Sequence, residues 1–167
     1  DALVLVAPIR ALSWHRVRLP PVTPGRMRAA LAGVLEDHLL DDPAQLALAL
    51  VPAGASDGTS LVAACDKAWL QAVLELFEQA RRPATRVVPA FAPIGPDRQG
   101  ALLHVIGTPD DASLVVCDTL GVTCLPLASA AAVFADKALP QGEVLAEPAV
   151  AGLAEQVLGR AVVVEPA

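Results

Sequence analysis

The chain has 167 residues, 54% of them apolar, and a formal net charge of −6. Twelve Lys and Arg stand against eighteen Asp and Glu, with three Phe, two Trp and no Tyr. That balance argues against a nucleic-acid partner, because phosphate affinity comes from cations and base stacking from aromatic rings. Three cysteines, an odd number without a CxxC pair, argue against a disulfide framework and a zinc site.

Mean hydropathy is +0.53, much of it carried by Ala and Leu. The longest apolar runs, such as Ala47–Val51 and Ala130–Ala135, fall far short of the ~20 residues of a membrane span. No charged-then-apolar leader opens the chain. Asp1 to Val6 reads as the middle of a strand, so the expectation is a piece of a longer protein whose membrane anchor lies elsewhere. A chain this long can bury about 70% of its unfolded surface and needs no metal to fold.

Leu3–Ala7 is a continuous apolar run, the pattern of a buried strand. Trp14–Leu19 alternates, with Arg16 and Arg18 on one side and Val17 and Leu19 on the other, which predicts a strand with one wet face. Pro20 and Pro21 end it. Thr23 and Pro24 read as an N-cap followed by proline at the first helical position. Met27, Ala30, Leu31, Val34, Leu35, His38 and Leu39 then recur at helical spacing. Asp41, Asp42 and Pro43 close that helix, and Leu46–Val51 resumes as a strand. Ala53–Thr59 reads as a loop and Leu61–Cys65 as a short buried strand. Asp66 is a candidate N-cap for a helix running to about Arg82, with Trp69, Leu70, Val73, Leu76, Phe77 and Ala80 expected on its core face. Thr85–Val88 is a strand.

Pro89–Gly100, PAFAPIGPDRQG, is too rich in proline and glycine for a regular element and marks a boundary. Two lobes are therefore expected, residues 1–92 and 93–167. Leu102–Ile106, Ser113–Asp118 and Val122–Leu127 follow as an antiparallel meander separated by turn residues. Ser129–Asp136 and Pro148–Leu158 read as helices, the second stopped by Gly159, and Ala161–Val164 as a last strand. The order β-β-α-β-β-α-β, then β-β-β-α-α-β, predicts a mixed-sheet α/β fold.

Catalytic signatures are missing from the sequence. Neither GxGxxG nor GxxxxGK[ST] occurs, and Gly54–Gly58 precedes a strand rather than a helix. His15, His38 and His104 accompany no nucleophile elbow, and nothing in the sequence brings Cys65 and Asp66 to His104. Cys65 and Cys117 read as buried thiols of a reducing compartment. Asp118–Gly121, DTLG, ends a strand with an Asp and a Gly-bearing turn. It admits two readings: ordinary turn chemistry, or the phosphate hairpin of an actin-like nucleotide site.

Two charge groups flank the first helix. Arg26 and Arg28 belong to an early basic edge with Arg10, Arg16 and Arg18. Glu36, Asp37, Asp41 and Asp42 crowd its C-terminal end, where the helix dipole disfavours negative charge. A solvated face, a cap and an acidic docking patch are all consistent with that placement.

Three blocks in succession resemble a known family. They are WHRVRLP from Trp14 to Pro20 with RMRAALAGVLEDHLLDDP from Arg26 to Pro43; LVAACDKAWL from Leu61 to Leu70; and Leu125-Pro126-Leu127 with EVLAEPAVAGLAE from Glu143 to Glu155. Together they resemble the cytoplasmic domain of type II secretion system protein L. One departure is Ala47, where the family often carries an aromatic. The resemblance implies an actin-like (ribonuclease H-like) α/β architecture in two lobes, incomplete at its N-terminus, with no enzymatic activity and no cofactor. It implies the cytoplasmic part of a bitopic inner-membrane protein that recruits the secretion ATPase, protein E of the system. It also implies contact with protein M through parts absent from this chain, and self-association as a homodimer is a further expectation. On this reading Arg26, Arg28, Glu36, Asp37, Asp41 and Asp42 are the candidate partner-binding residues. A nucleotide-binding module using Asp118 and Gly121 is the alternative.

Overall fold

The computed structural model describes residues 2–21, 23–36, 39, 42–51, 58–95, 97–134 and 139–165. His38, Asp37, Asp41 and most of the loop read at 53–59 lie outside the described residues. The fold is mixed α/β, and the chain divides into two compact units, Asp1–Phe91 and Ala92–Ala167.

In the first unit the alternating segment forms β2 (Leu12–Val17), following β1 (Leu3–Ala7). Its register against β4 (Ser60–Asp66) is antiparallel, Leu12 opposite Cys65 and Val17 opposite Ser60, and β3 (Leu46–Val51) pairs on the other side of β4. Period-two geometry turns Val17 inward and leaves Arg16 and Arg18 at the surface, as the alternation predicts. β1 pairs in parallel with β5 (Ala84–Pro89).

The first helix, α1 (Met27–Leu35), starts later than the Thr23–Pro24 reading. Pro24–Arg26 forms a 3-10 turn closed by the Arg26 N–H on the Thr23 carbonyl at 2.9 Å, and no side chain caps the α-helix. Its apolar stripe behaves as read: Leu31 and Leu35 are buried with Val17 and Val62, and Met27, Val34, Leu39 and Leu48 pack around them.

Asp66 caps the second helix, α2 (Lys67–Gln79), by accepting from the Trp69 N–H. The helix ends three residues earlier than expected. Arg81 takes φ 56°, its N–H bonds the Glu78 carbonyl, and the Arg82 N–H reaches back to Phe77 at 2.9 Å. That is a Schellman closure with arginine in the left-handed position. The expected core face needs correction. Trp69, Leu70, Val73, Leu74 and Phe77 are half-buried, while Ala80 is exposed and Leu76 is 64% exposed. At 3.6 residues per turn Leu76 stands about 160° from Leu74, at the margin of the half-buried face rather than at its centre.

The second unit is one five-stranded sheet in the order β10-β9-β6-β7-β8. β6 (Ala101–Thr108), β7 (Asp111–Cys117) and β8 (Val122–Pro126) form the expected antiparallel meander. β9 (Gly142–Ala146) runs parallel to β6, and β10 (Val163–Val164) parallel to β9. α3 (Leu127–Val133) and α4 (Ala151–Leu158) cover one face, packing Leu127, Ala130, Val150 and Ala154 on Leu103, Val105, Leu114 and Val116.

β9 corrects the reading of two successive helices. Its alternation is real, Val144 and Ala146 buried beside the exposed Glu143, but five residues in an Ala-rich stretch hide it. Gly142 opens the strand because a Cβ there would overlap the Ala101 carbonyl oxygen. Pro148 accordingly lies in the turn before α4, and Gly159, at φ 64°, ends that helix as read.

Candidate partner-binding groove

The stripe that buries one side of α1 leaves the other side to solvent. Along that outer side runs an open groove of about 530 Å³ between α1 and the segment that leads into β3. Ala29, Ala32 and Leu48 supply its apolar surface; Arg28, Glu36 and Asp42 supply its charge. Arg28 lies in the first turn of α1, and Glu36 is the residue at its C-terminal end. Asp42 has a structural duty as well. Its carboxylate accepts from the Ala44 N–H at 2.9 Å and caps the 3-10 turn Pro43–Gln45.

The structure therefore gathers three of the six sequence-derived candidates, Arg28, Glu36 and Asp42, on one groove. Arg26 is exposed at the junction of the 3-10 turn and α1, outside the lining. Asp37 and Asp41 fall outside the described residues. Sequence reasoning found the charges and missed the apolar groove between them. The signal was available: Gly25, Ala29, Ala32 and Gly33 recur at helical spacing opposite the core stripe. A second opening of about 410 Å³ lies beside Arg10, Asp66 and Trp69.

The Asp118 turn is closed on itself. The Asp118 Oδ1 accepts from the N–H groups of Leu120 at 2.7 Å and Gly121 at 3.0 Å. The Asp118 N–H donates to the Gly121 carbonyl, and the Asp118 carbonyl accepts from the Ile94 N–H. The amides that would hold phosphate oxygens already serve the carboxylate that would hold the metal. This is Asx-turn chemistry, with Gly121 at φ 156° where the chain reverses.

Other reactive groups are dispersed. His15 Nε2 lies 2.8 Å from Ser13 Oγ, and His104 Nδ1 lies 3.7 Å from Glu165 Oε2. Burial pushes the Cys65 thiol above its ordinary value, helped by the charge of Asp66. Burial, with Asp118 adding repulsion, pushes Cys117 up to about 11. Both thiols are protonated near neutrality and unsuited to nucleophilic work; Cys124 is exposed. Among the described residues no three His, Cys, Asp or Glu side chains converge as metal ligands, and no helix is long and apolar enough to cross a membrane.

No family model matches the chain, and no curated protein does. Among solved structures it is similar to the cytoplasmic domain of EpsL, an inner-membrane component of the type II secretion system of Vibrio cholerae. The TM-score is 0.63 and the identity 21%, over 87% of this chain. The chain spans 60% of the length of that structure. The likeness read from the coordinates thus falls on the same domain that the three sequence blocks resemble, and what it shows is a shared fold.

Proposed function

We propose that this chain is a non-enzymatic docking domain of a type II secretion machinery. It holds the secretion ATPase, protein E, at the cytoplasmic face of the bacterial inner membrane, and protein M and the membrane platform engage parts of the protein beyond this chain. The observation that carries the reading is the charged groove on α1, on a fold shared with a secretion component and without a convergent reactive site among the described residues. The second unit supports the actin-like assignment. Three antiparallel strands followed by two parallel ones, in the order β10-β9-β6-β7-β8, are the strand pattern that a ribonuclease H-like sheet would have. The mechanism is mass action: a surface of alternating sign orients the ATPase and raises its association rate.

Titration calorimetry of this chain against the amino-terminal region of the cognate ATPase tests the reading at low salt. Reversal of Glu36, Asp37, Asp41 and Asp42 together weakens binding, and the loss shrinks as salt rises. Unchanged affinity removes the patch, and no binding by the unaltered chain removes the function. The nucleotide alternative predicts a higher melting temperature with magnesium and ATP, since a ligand of the folded state stabilises it. The self-satisfied Asp118 turn favours no change.

A further inference from the structure

We infer that β10 is a strap whose hold on the sheet is set by the charge of His104: protonation of that imidazole tightens the strand against β9, and loss of the proton loosens it. The strand has little else to hold it. β10 is two residues long, lies at the edge of the five-stranded sheet, and leaves Val163 51% and Val164 52% exposed. Its apolar burial therefore contributes little. Beside its pairing with β9, the Glu165 N–H donates to the Ala146 carbonyl at 2.9 Å, and the Val162 N–H reaches Glu155 Oε1 at 3.4 Å. A short edge strand with few buried contacts belongs to the low-stability end of a fold.

Register brings a titrating ring to this strand. Leu145 on β9 stands opposite His104 on β6 and opposite Val163 on β10, so the three share one face of the sheet. Glu165 follows Val163 by two residues and returns to that face. Its Oε2 lies 3.7 Å from His104 Nδ1. The side chain of His104 is 12% exposed and that of Glu165 39%. The ring thus belongs to a central strand, and the carboxylate to the piece that can lift.

The surrounding charges set the sign. Burial opposes a charge on the ring, and a carboxylate beside it favours one. β6 packs on β7 and β9. On the face of His104, β9 carries Glu143, and Glu147 just past that strand gives its Oε2 to the Gly107 N–H. β7 and, across it, β8 present the thiols of Cys117 and Cys124, and Asp111 closes the far end of the β6–β7 hairpin. Arg160, on the connection from α4 to β10, donates to the Pro140 and Gly142 carbonyls. The face is therefore acidic, and Glu165 is the carboxylate that touches the ring. An imidazolium is better held with the strap down than with it lifted. The added hold is present when His104 is charged and is lost as pH rises through the range in which histidines titrate. The strap stands whether or not the docking reading does.

Amide hydrogen exchange of the whole chain tests this at about pH 5.5 and about pH 7.5, on either side of ordinary histidine titration. Rates are expressed as protection factors, which removes the intrinsic pH dependence of exchange. The Glu165 N–H reports the strap, and the amides of Leu103 and Leu114 report the sheet. Protection at Glu165 is expected to be roughly threefold higher at the lower pH, with the sheet amides unchanged. Glu165→Gln keeps the backbone bond and the size of a half-exposed side chain, and it removes the pH dependence. His104→Gln does the same from the other partner. Protection at Glu165 that is flat or falls on acidification would overturn the inference. So would a rise that Glu165→Gln retains, or one that the sheet amides share in equal measure.

Discussion

Two glycines of the second unit and two of the first meet opposite surroundings. In the second unit Gly142 and Gly107 lie where backbone presses on backbone: a Cβ on either would overlap a carbonyl oxygen, that of Ala101 or of Asp111. In the first unit Gly25 and Gly33 face open space. The cores differ in the same sense. β7 is buried from Ser113 through Cys117, and Leu103, Val105 and Leu114 have no exposed surface. The first unit buries α1 on Val17 and Val62, but α2 has no fully buried residue, and Val4, Val6 and Val87 are 41–55% exposed on the parallel pair β1 and β5. Gly142 and Gly107 of the second unit are explained by its own packing, whereas its Gly152, inside α4, meets open space as Gly25 and Gly33 do. The first unit keeps Gly25 and Gly33 on the outer side of α1, where its own packing does not require them.

The sharpest way to break this comparison is Gly142→Ala. If β9 must press on β6, the added methyl displaces main chain rather than a side chain, and the cost is about 3 kcal/mol. Urea denaturation would report it as a lower midpoint at unchanged slope. A change below about 0.5 kcal/mol would mean that the strand yields freely and that the second unit is not the tightly determined one.

That strand is also where the sequence was hardest to read. Long periodic segments were legible. The α1 stripe, the exact span of β3, the Asp66 cap and the meander of β6, β7 and β8 all follow from spacing and turn residues. β9 was not, because Gly142–Ala146 offers only two inward side chains, and alanine as one of them reads equally as helix. The end of α2 was not legible either, since a left-handed arginine leaves no glycine as a mark. At the groove, charge was visible and shape was not: four acids at a helix end drew attention, whereas small residues on an outer face look like ordinary helix filling until the cavity beside them is seen.

Gly33→Ala sharpens the comparison from the other side. With no neighbour within reach of the new methyl, only the helix propensity changes, and the chain gains about 1 kcal/mol. The two substitutions are chemically identical and opposite in sign, and the sign is set by whether a second piece of backbone of the same chain is present. A loss at Gly33 would place an unrecognised contact on the outer face of α1.

The smallest effect tests whether the first unit also carries local strain of its own making. Arg81 occupies the left-handed position that closes α2, a conformation that crowds the Cβ of any L-residue. Arg81→Gly relieves that crowding and keeps both backbone bonds of the closure, to Glu78 and Phe77. Part of the gain is offset because glycine loses more freedom on folding. A net stabilisation of about 0.5 kcal/mol is expected, seen as a slightly higher urea midpoint. A clear loss would mean that the Arg81 side chain holds something the backbone does not, and the loosely covered end of α2 would then have a purpose beyond ending a helix.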